Sequence, residues 1–270
     1  KKAGYNRTTG NNANAFGQQA LYNLTTGSNH VAIGTYASHS VQTGNYSTAV
    51  GSFALRYATA GFNTAFGYTA LGSCTSGETN TALGQSSFQS LTTGTRNIGV
   101  GYQVADNITT GSRNVCIGTY AGDTLTTGDR NIIIGDAATP SAVDASNEIT
   151  LGDSNISSLR CQVQTISSLS DARDKTDIED VSDGLELINL LRPRKFTWAM
   201  REESENNGKT ELGFIAQELD EVLGDKNDYI HAVNKNNPDK LEASYGKLIP
   251  ILVKAIQELT IEIETLKSNG

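Results

Sequence analysis

The chain has 270 residues, a net charge of −8 and three cysteines. Residues 1–140 hold 20 of the 27 glycines and carry a net charge of about +2, whereas residues 141–270 carry about −10. Length and composition together predict two domains. The acidic second half argues against a nucleic-acid partner, because phosphate contacts need clustered Lys and Arg. No apolar run approaches the roughly 18 residues of a membrane-spanning helix, so membrane insertion is not expected.

The cysteines Cys74, Cys116 and Cys161 are odd in number and show no Cys-x-x-Cys spacing. Neither a disulfide framework nor a zinc site is therefore predicted. Cys116 stands where other repeats carry Ala, which suits a small buried residue. The acidic cluster around Asp177–Asp183 is interpreted as a solvated surface rather than a metal site. We expect no metal and no cofactor.

A 17-residue period runs through the first half of the chain, with one step of 16. Fixed self-similarity of this kind predicts a solenoid whose repeats bury their apolar faces against their neighbours. The first glycine series is Gly10, Gly27, Gly44, Gly61, Gly77, Gly94, Gly111 and Gly128. The second series is Gly17, Gly34, Gly51, Gly67, Gly84, Gly101, Gly118 and Gly135.

Each repeat contains an apolar run of three or four residues, which is too short for a helix and indicates a strand between turns. Gly and Asn tolerate the positive φ that a coil needs at its corners. Identical asparagines, repeated from Asn63 to Asn131, are expected to hydrogen-bond in a ladder along the coils. The fold class predicted for residues 1–138 is therefore an all-β parallel solenoid, roughly 40 Å long at about 4.8 Å per strand.

The repeats resemble the heads of trimeric autotransporter adhesins, in which Asn-x-Ala-Ile-Gly units form a left-handed parallel β-roll. The resemblance depends on motifs such as His30–Gly34 and Asn80–Gly84 and covers roughly residues 5–138. It implies that the solenoid is trimeric.

Residues 139–169 are predicted to be a β connector, with short strands at Glu148–Gly152 and Cys161–Ile166. From Ser170 to Gly270 the composition is typical of an α+β domain. Its predicted elements, in chain order, are a helix from an Asp183 cap to Leu191, a strand at Lys195–Trp198, a helix at Glu218–Leu223 and a strand at Tyr229–Val233.

The last predicted helix carries apolar residues in a 3-4 alternation, which is a heptad seam. The seam consists of Ile249, Leu252, Ile256, Leu259, Ile263 and Leu266. Pro250 fits the first turn of a helix. Ile at a with Leu at d favours dimers in parallel coiled coils, so the seam itself does not indicate a trimer. The alternative is a single helix that packs this stripe on its own domain.

The segment Ser170–Lys175 begins the acidic part of the chain and contains a serine and a lysine five residues apart. A serine is a poor nucleophile until a base removes its proton, and a lysine is a base only when its amine is neutral. Five residues correspond to about 140° on a helix and to opposite faces of a strand. The segment must therefore bend, or the two side chains must meet between neighbouring chains.

Residues 170–267 resemble the C-terminal intramolecular chaperone of phage tail fibres and tailspikes, the self-cleaving S74 peptidase family. The matching stretches, in chain order, are Ser170–Lys175, Gly184–Ile188, Leu191–Pro193, Phe196–Trp198, Gly213–Glu218, Tyr245–Pro250 and Ala255–Leu259. The resemblance implies that the domain forms a homotrimer, guides the folding of the β-rod before it, and then releases itself by a single self-cleavage. It also implies a virion location, after assembly in the host cytoplasm.

The resemblance further implies a catalytic Ser-Lys dyad of Ser170 and Lys175, and scission of the bond between Leu169 and Ser170. Arg173 would help to keep the lysine neutral, whereas Asp171 would oppose this unless it points away. Glu218 supports either the fold or the site.

Two other classes of function compete with this interpretation. The first is a non-enzymatic trimeric adhesin that binds a host-surface polysaccharide or protein through the repeats. Arg96, Arg113 and Arg130 share one repeat position, and Tyr36, Phe53 and Tyr120 share another. These columns are interpreted as a solvated edge and as packing residues, with an acidic-glycan groove and sugar stacking as the alternatives. The second class, a membrane-tethered transcription factor, would need a basic DNA-binding region, which the printed sequence does not contain.

Overall fold

A computed structural model of the chain describes residues 2–6, 8–156, 158–160, 162, 170–201, 204 and 206–269. The strand predicted at Cys161–Ile166 and the residue Leu169 lie outside these ranges. The chain forms two compact units, residues 1–153 and 154–270. The finer division at residues 138 and 169 remains a proposal. Within the described ranges, no helix is long and apolar enough to cross a membrane.

The first unit is the predicted parallel solenoid. Its nine strands pair in chain order, each parallel to the next. Partner residues are 17 apart in most pairs, and 16 apart where Thr48 pairs with Thr64. The strands β1 to β9 are Ala13–Phe16, His30–Ile33, Thr48–Val50, Thr64–Phe66, Thr81–Leu83, Ile98–Val100, Val115–Ile117, Ile132–Ile134 and Ile149–Leu151. Because β9 continues the sheet, the first of the two connector strands is confirmed.

The interior of each coil holds small side chains along the strands and larger ones, such as Leu24, Leu71 and Phe88, in the turns that follow them. The middle residue of nearly every strand is fully buried, as at Ala49 and Cys116. The predicted small residues three positions after the second glycine series are also buried, as at Ala54 and Val104. Burial raises the pKa of the Cys116 thiol to about 12.

The flanking residues of each strand point outward and form two parallel columns, called here the outward columns. Both columns lack charged residues. The first contains Asn14, Val31, Thr48, Thr64, Thr81, Ile98, Val115, Ile132 and Ile149, and the second contains Phe16, Ile33, Val50, Phe66, Leu83, Val100, Ile117, Ile134 and Leu151. In the second column Phe16 is 77% exposed and Phe66 57%. Apart from Ile133, the large apolar residues of the strands therefore lie outside the core.

The predicted asparagine ladder is present and buried. In each step the side-chain oxygen of one asparagine accepts a hydrogen bond from the backbone N–H of the next. The Asn97 N–H, for example, donates to Asn80 Oδ1 at 2.9 Å. The Asn97 amide nitrogen also donates to Asn80 Oδ1 and to the Gly111 carbonyl. The last step ends at Glu148, whose backbone N–H donates to Asn131.

Glycine is required in the two series for different physical reasons. Gly101 adopts φ +141°, a conformation that favours glycine. Gly94 has an ordinary φ, but a Cβ there would lie 2.1 Å from the Gly111 carbonyl oxygen of the next coil. The expectation that glycine and asparagine supply the positive φ values is only partly right, since Arg96 and Tyr36 also adopt them.

The second unit is a small α+β fold. Its elements are α1 (Leu185–Leu190), β10 (Arg194–Thr197), β11 (Thr210–Gly213), α2 (Ala216–Leu223), α3 (Asn227–Ile230), β12 (Val233–Asn234), β13 (Glu242–Ala243) and α4 (Ile249–Ser268). The pairs β10–β11 and β12–β13 are antiparallel hairpins. Leu187, Leu219, Leu223, Leu248 and Ile251 lie in the common core.

Two predictions in this unit are wrong. Asp183 does not cap α1, whose N-cap is Gly184; its carboxylate instead accepts hydrogen bonds from Lys226 and Tyr229. The strand predicted at Tyr229–Val233 is mostly helix α3 and the turn after it. The buried Asn227 side chain holds this turn by bonding the N–H and the carbonyl of Val233.

The C-terminal helix α4 is confirmed, with Pro250 in its first turn. Its buried residues are Ile251 and Ala255, and it packs against α1. The heptad seam lies on a neighbouring face and is exposed, with Ile256 at 62% and Leu259 at 41%. The alternative in which the seam packs on its own domain is therefore wrong.

Candidate functional site

The segment Ser170–Lys175 contains a sharp bend. A short 3-10 turn, Ala172–Asp174, begins where the Asp171 carboxylate accepts the backbone N–H of Arg173. The Lys175 N–H then bonds the Ala172 carbonyl and closes the turn. The bend that the five-residue spacing requires within one chain is thus made by local hydrogen bonds.

The bend places Lys175 against Ser170. Lys175 Nζ donates a hydrogen bond to Ser170 Oγ at 2.6 Å. In this arrangement the amine is a donor. If the amine were neutral, the same contact would allow the hydroxyl to donate its proton to nitrogen, which is the step that activates a serine.

Asp171 and Arg173 neutralise each other beside this pair. The Arg173 guanidinium bonds both carboxylate oxygens of Asp171, with the shortest distance 2.6 Å. These hydrogen bonds hold the pKa of Asp171 below its usual range. The carboxylate that was expected to oppose a neutral Lys175 therefore has its own counter-ion.

The site is open to solvent in the single chain. Ser170, Lys175 and the residues between them are all exposed. Water stabilises the charged form of a lysine, and desolvation is what removes that preference. The chain brings the two side chains together but does not cover them.

Glu218, the third expected supporting residue, contacts neither Ser170 nor Lys175 within the described residues. It lies on α2 and accepts a hydrogen bond from Arg194 Nε at 2.8 Å. A guanidinium nitrogen of Arg192 lies 3.5 Å from its Oε1 and forms an ion pair. The Arg194 hydrogen bond holds the pKa of Glu218 below its ordinary value. In this chain Glu218 ties α2 to β10.

Two residues beyond Ser170, Lys175 and their expected supporting residues join other segments that carry the family resemblance. The Glu258 carboxylate on α4 accepts the N–H of Leu185 at 2.7 Å, and a Cβ at Gly184 would lie 2.3 Å from it. The Tyr245 hydroxyl bonds the N–H and carbonyl of Phe214. A glycine directly before a helix was the sequence signal for the contact of Glu258 with Gly184 and Leu185. The local sequence gave no signal for the contact between Tyr245 and Phe214.

A cleft of about 670 Å³ lies in the same unit, lined by Phe196, Trp198, Phe214, Leu241 and Tyr245 among others. Ser170 and Lys175 do not line it. Within the described ranges no group of three His, Cys, Asp or Glu side chains is placed to hold a metal ion.

Comparison with known proteins identifies the segment. Residues 170–227 match the model of the Peptidase_S74 family, described as the chaperone of endosialidase. No curated protein and no solved structure matches the chain significantly. The match starts at Ser170 and includes the bend, α1, β10, β11 and α2, while the parallel solenoid before it fits the rod of a tail fibre or tailspike. Residues 170–227 are therefore similar to the Peptidase_S74 family, and this similarity supports a chaperone role of the tail-fibre type.

Proposed function

We propose that this chain is part of a phage tail fibre, assembled in the host cytoplasm, whose C-terminal domain trimerises, guides folding of the β-rod and then releases itself. The observation that carries the self-cleavage is the 2.6 Å contact between Lys175 Nζ and Ser170 Oγ at the first residue of the family match. A parallel solenoid is dominated by non-local pairings, which fold slowly and expose strand edges. A C-terminal seed that joins three chains raises their effective concentration.

The proposed reaction is one cleavage per chain. Neutral Lys175 accepts the Ser170 hydroxyl proton as Oγ attacks the Leu169 carbonyl carbon. The C–N bond to Ser170 breaks, its nitrogen takes up a proton, and an ester joins Leu169 to Ser170 Oγ. Water then hydrolyses this ester, leaving a carboxylate on Leu169 and a free amine and hydroxyl on Ser170. Metal and cofactor have no part in these steps.

We propose that assembly gates this reaction. Water favours the charged form of an amine, whereas burial favours the neutral form that can act as a base. Neighbouring chains of the trimer are the proposed cover. Cleavage then follows assembly, and the released rod is held by its kinetic stability.

The outward columns support association of the rods. They form an uncharged stripe on nine strands, roughly 40 Å long at about 4.8 Å per strand. Monomeric soluble proteins rarely expose contiguous apolar patches beyond a few hundred Å². A second and third copy of the same stripe offer a matching repeat, so the homotrimer is proposed to close around these columns.

Autocleavage is tested by expressing the full chain beside Ser170→Ala and Lys175→Met. We expect the unsubstituted chain to yield a smaller fragment whose N-terminal sequence starts at Ser170, and both variants to stay intact. Lys209→Met, which removes another exposed lysine, is the matched control and should cleave normally. Persistent cleavage in Ser170→Ala, or a fragment with a different first residue, would refute the proposal.

The contact between Lys175 Nζ and Ser170 Oγ lies within one chain, so we propose an intrachain dyad, and mixing Ser170→Ala with Lys175→Met chains should not restore cleavage. Restored cleavage would place the reacting pair between chains instead. A cleavage rate independent of chain concentration, from a chain that sediments as a monomer, would contradict gating by assembly.

We also propose host attachment through the rod, by a surface polysaccharide, as a second function. It is favoured by exposed aromatic side chains on the coils, including Tyr46, Tyr57 and Tyr68. This function needs no catalysis and is compatible with self-cleavage.

A further inference from the structure

A small pocket opens on the solenoid where the repeat shortens from 17 to 16 residues. It has a volume of about 260 Å³ and is lined by Phe53, Arg56, Tyr57, Tyr68, Thr69, Gly72, Ser73 and Gln89. The position of Arg56 is taken by Gly72 on the next coil and by Gln89 on the one after. The missing side chain at Gly72 leaves the space, and Arg56 faces it from one side.

Arg56 carries a charge that no carboxylate neutralises within the described residues. Its guanidinium lies 4.9–5.2 Å from the ring centroids of Tyr36, Phe53 and Tyr57. Its Nε atom is buried and has no hydrogen-bond partner in the described structure. By contrast, Arg173 and Arg194 each pair with a carboxylate. A guanidinium held between rings and short of an acceptor is suited to an incoming carboxylate.

The remaining walls suit a sugar ring. Tyr68 and Tyr57 are 52% and 47% exposed, and Tyr68 meets Phe53 edge-on with ring centroids 6.0 Å apart. Exposed aromatic rings offer an apolar face with a polar tip. The hydroxyls of Thr69 and Ser73 and the amide of Gln89 add hydrogen-bonding groups to the rim. Ligand pockets typically combine such an apolar lining with a few placed polar groups.

We infer that this pocket, called here the Arg56 pocket, binds a saccharide carrying a carboxylate, with the acid on Arg56 and the ring against Tyr68. The inference rests on the proposed attachment function and is independent of self-cleavage. On the two coils after the one that carries Gln89, the position of Arg56 is taken by Asp106 and then by Asp123. These acidic residues disfavour a dense polyanion, so isolated uronic acids among neutral sugars fit best. None of the pocket residues belongs to the outward columns, so the pocket stays open in a rod that associates through them.

The test is calorimetric titration of the full chain, in its Ser170→Ala form to keep it intact. The probes are a glucuronic-acid-containing oligosaccharide, a neutral glucose oligosaccharide of equal length, and sodium acetate. We expect the acidic oligosaccharide to bind more tightly than either other probe. Arg56→Gln should weaken it by about 10- to 100-fold, the effect of losing a hydrogen bond to a charged group. Tyr68→Ala should weaken both oligosaccharides.

Arg113→Gln, which removes another exposed arginine from the solenoid, is the matched control and should leave binding unchanged. Arg56→Lys keeps the positive charge but lacks the planar guanidinium, and it replaces Arg56→Gln if that variant unfolds. It should bind the acidic oligosaccharide more weakly than the chain with Arg56. Equal binding of the acidic and neutral oligosaccharides would overturn the acidic-saccharide inference while leaving glycan attachment in place. Acetate binding as tightly as the acidic oligosaccharide would reduce the pocket to an anion site. Absence of binding by every probe would overturn the inference outright.

Discussion

At the scale of single residues, the asparagine ladder is the clearest link between sequence and stability. Each side chain from Asn63 to Asn131 is fully buried, and the amides satisfy one another and the glycine carbonyl of the next coil. Buried polar groups cost free energy unless they are hydrogen-bonded. The ladder therefore makes each coil dependent on the next.

Asn97→Ala is expected to destabilise the solenoid by about 2–4 kcal/mol, because it leaves several buried groups on neighbouring coils without partners. Thermal or denaturant unfolding followed by circular dichroism measures the loss. Asn107→Ala is the matched control, since Asn107 is exposed and makes a single hydrogen bond to the Asp123 carbonyl. Equal losses in the two variants would contradict this role of the ladder.

Asp183 predicts a pH dependence of the second unit. Hydrogen bonds from Lys226 and Tyr229 hold its pKa below the ordinary value. A lowered folded-state pKa adds stability that is full above the unfolded value of about 4 and is lost as the pH falls through the folded value. Asp183→Asn should therefore be less stable than the unsubstituted chain at pH 7, and the difference should shrink at about pH 2.

The measurement is urea unfolding followed by fluorescence of Trp198, the single tryptophan of the chain. Asp239→Asn, at an exposed position, controls for the loss of a negative charge. A difference between the Asp183 variant and the parent that stays constant from pH 7 to pH 2 would argue against the ion pair.

The residues at the candidate site were predictable to different degrees. The spacing of Ser170 and Lys175 indicated that a bend is needed, and the Asp171 side chain that starts this bend is a common turn-forming residue. The pairing of Asp183 with Lys226 was not predictable, because the two are 43 positions apart. The local sequence pattern favoured Asp183 as a helix cap, but its carboxylate accepts hydrogen bonds from Lys226 and Tyr229 instead.

At the scale of elements, α4 presents one face to its domain and another to solvent. Ile251 and Ala255 are buried, while the heptad seam beside them is exposed. An exposed a/d seam is the geometry of a helix that meets other helices. The seam is therefore the second surface, after the outward columns, through which copies of the chain are proposed to associate.

Leu259→Asp places a charge in the middle of this seam and should reduce both oligomer formation and cleavage. Because Leu259 is 41% exposed, the single chain should still fold. Sedimentation gives the oligomeric state, and a denaturing gel gives the extent of cleavage. Gln257→Asp, elsewhere on the exposed surface of α4, should change neither. An unchanged oligomer in Leu259→Asp would exclude the seam as an interface.

In the second unit, the long helix α4 was predicted from its own sequence pattern, whereas the segment Tyr229–Val233 was not. The heptad periodicity of α4 extends over almost the whole helix, so many residues favour the same answer. The strand predicted at Tyr229–Val233 had only an alternation of few residues to support it. The buried Asn227 side chain decides that segment by bonding Val233, and such a contact has no signature in the local sequence.

At the scale of the whole molecule, the strand part of each repeat places mostly small residues inside and large apolar residues outside, whereas the turn part buries large residues such as Leu55 and Leu91. The interior is too narrow for more than Ala, Cys or an occasional Ile at the middle of a strand. Larger residues such as Phe66 and Leu83 therefore face outward, although hydrophobicity by itself would place them in a core. The period predicted the solenoid; which apolar column lies inside depends on the width of the coil, which the period does not give.

Ile117→Asp tests the outward columns as an interface. Ile117 is 38% exposed in the single chain, so the coil should tolerate the change. A carboxylate buried without a partner in an assembled rod costs several kcal/mol, and the trimer should dissociate. Thr110→Asp on the same coil, outside the columns, is the control. A trimer that survives Ile117→Asp would move the interface to another face.

The register of the sheet has a consequence for length. Since strand residues pair with counterparts 17 positions away, removing residues 98–114 would join Asn97 to Val115 and leave the surviving strand residues with equivalent partners. Fibres of this design can therefore grow or shorten by whole coils, in increments of about 4.8 Å, without redesign of either end. Gain or loss of a few residues has no such freedom.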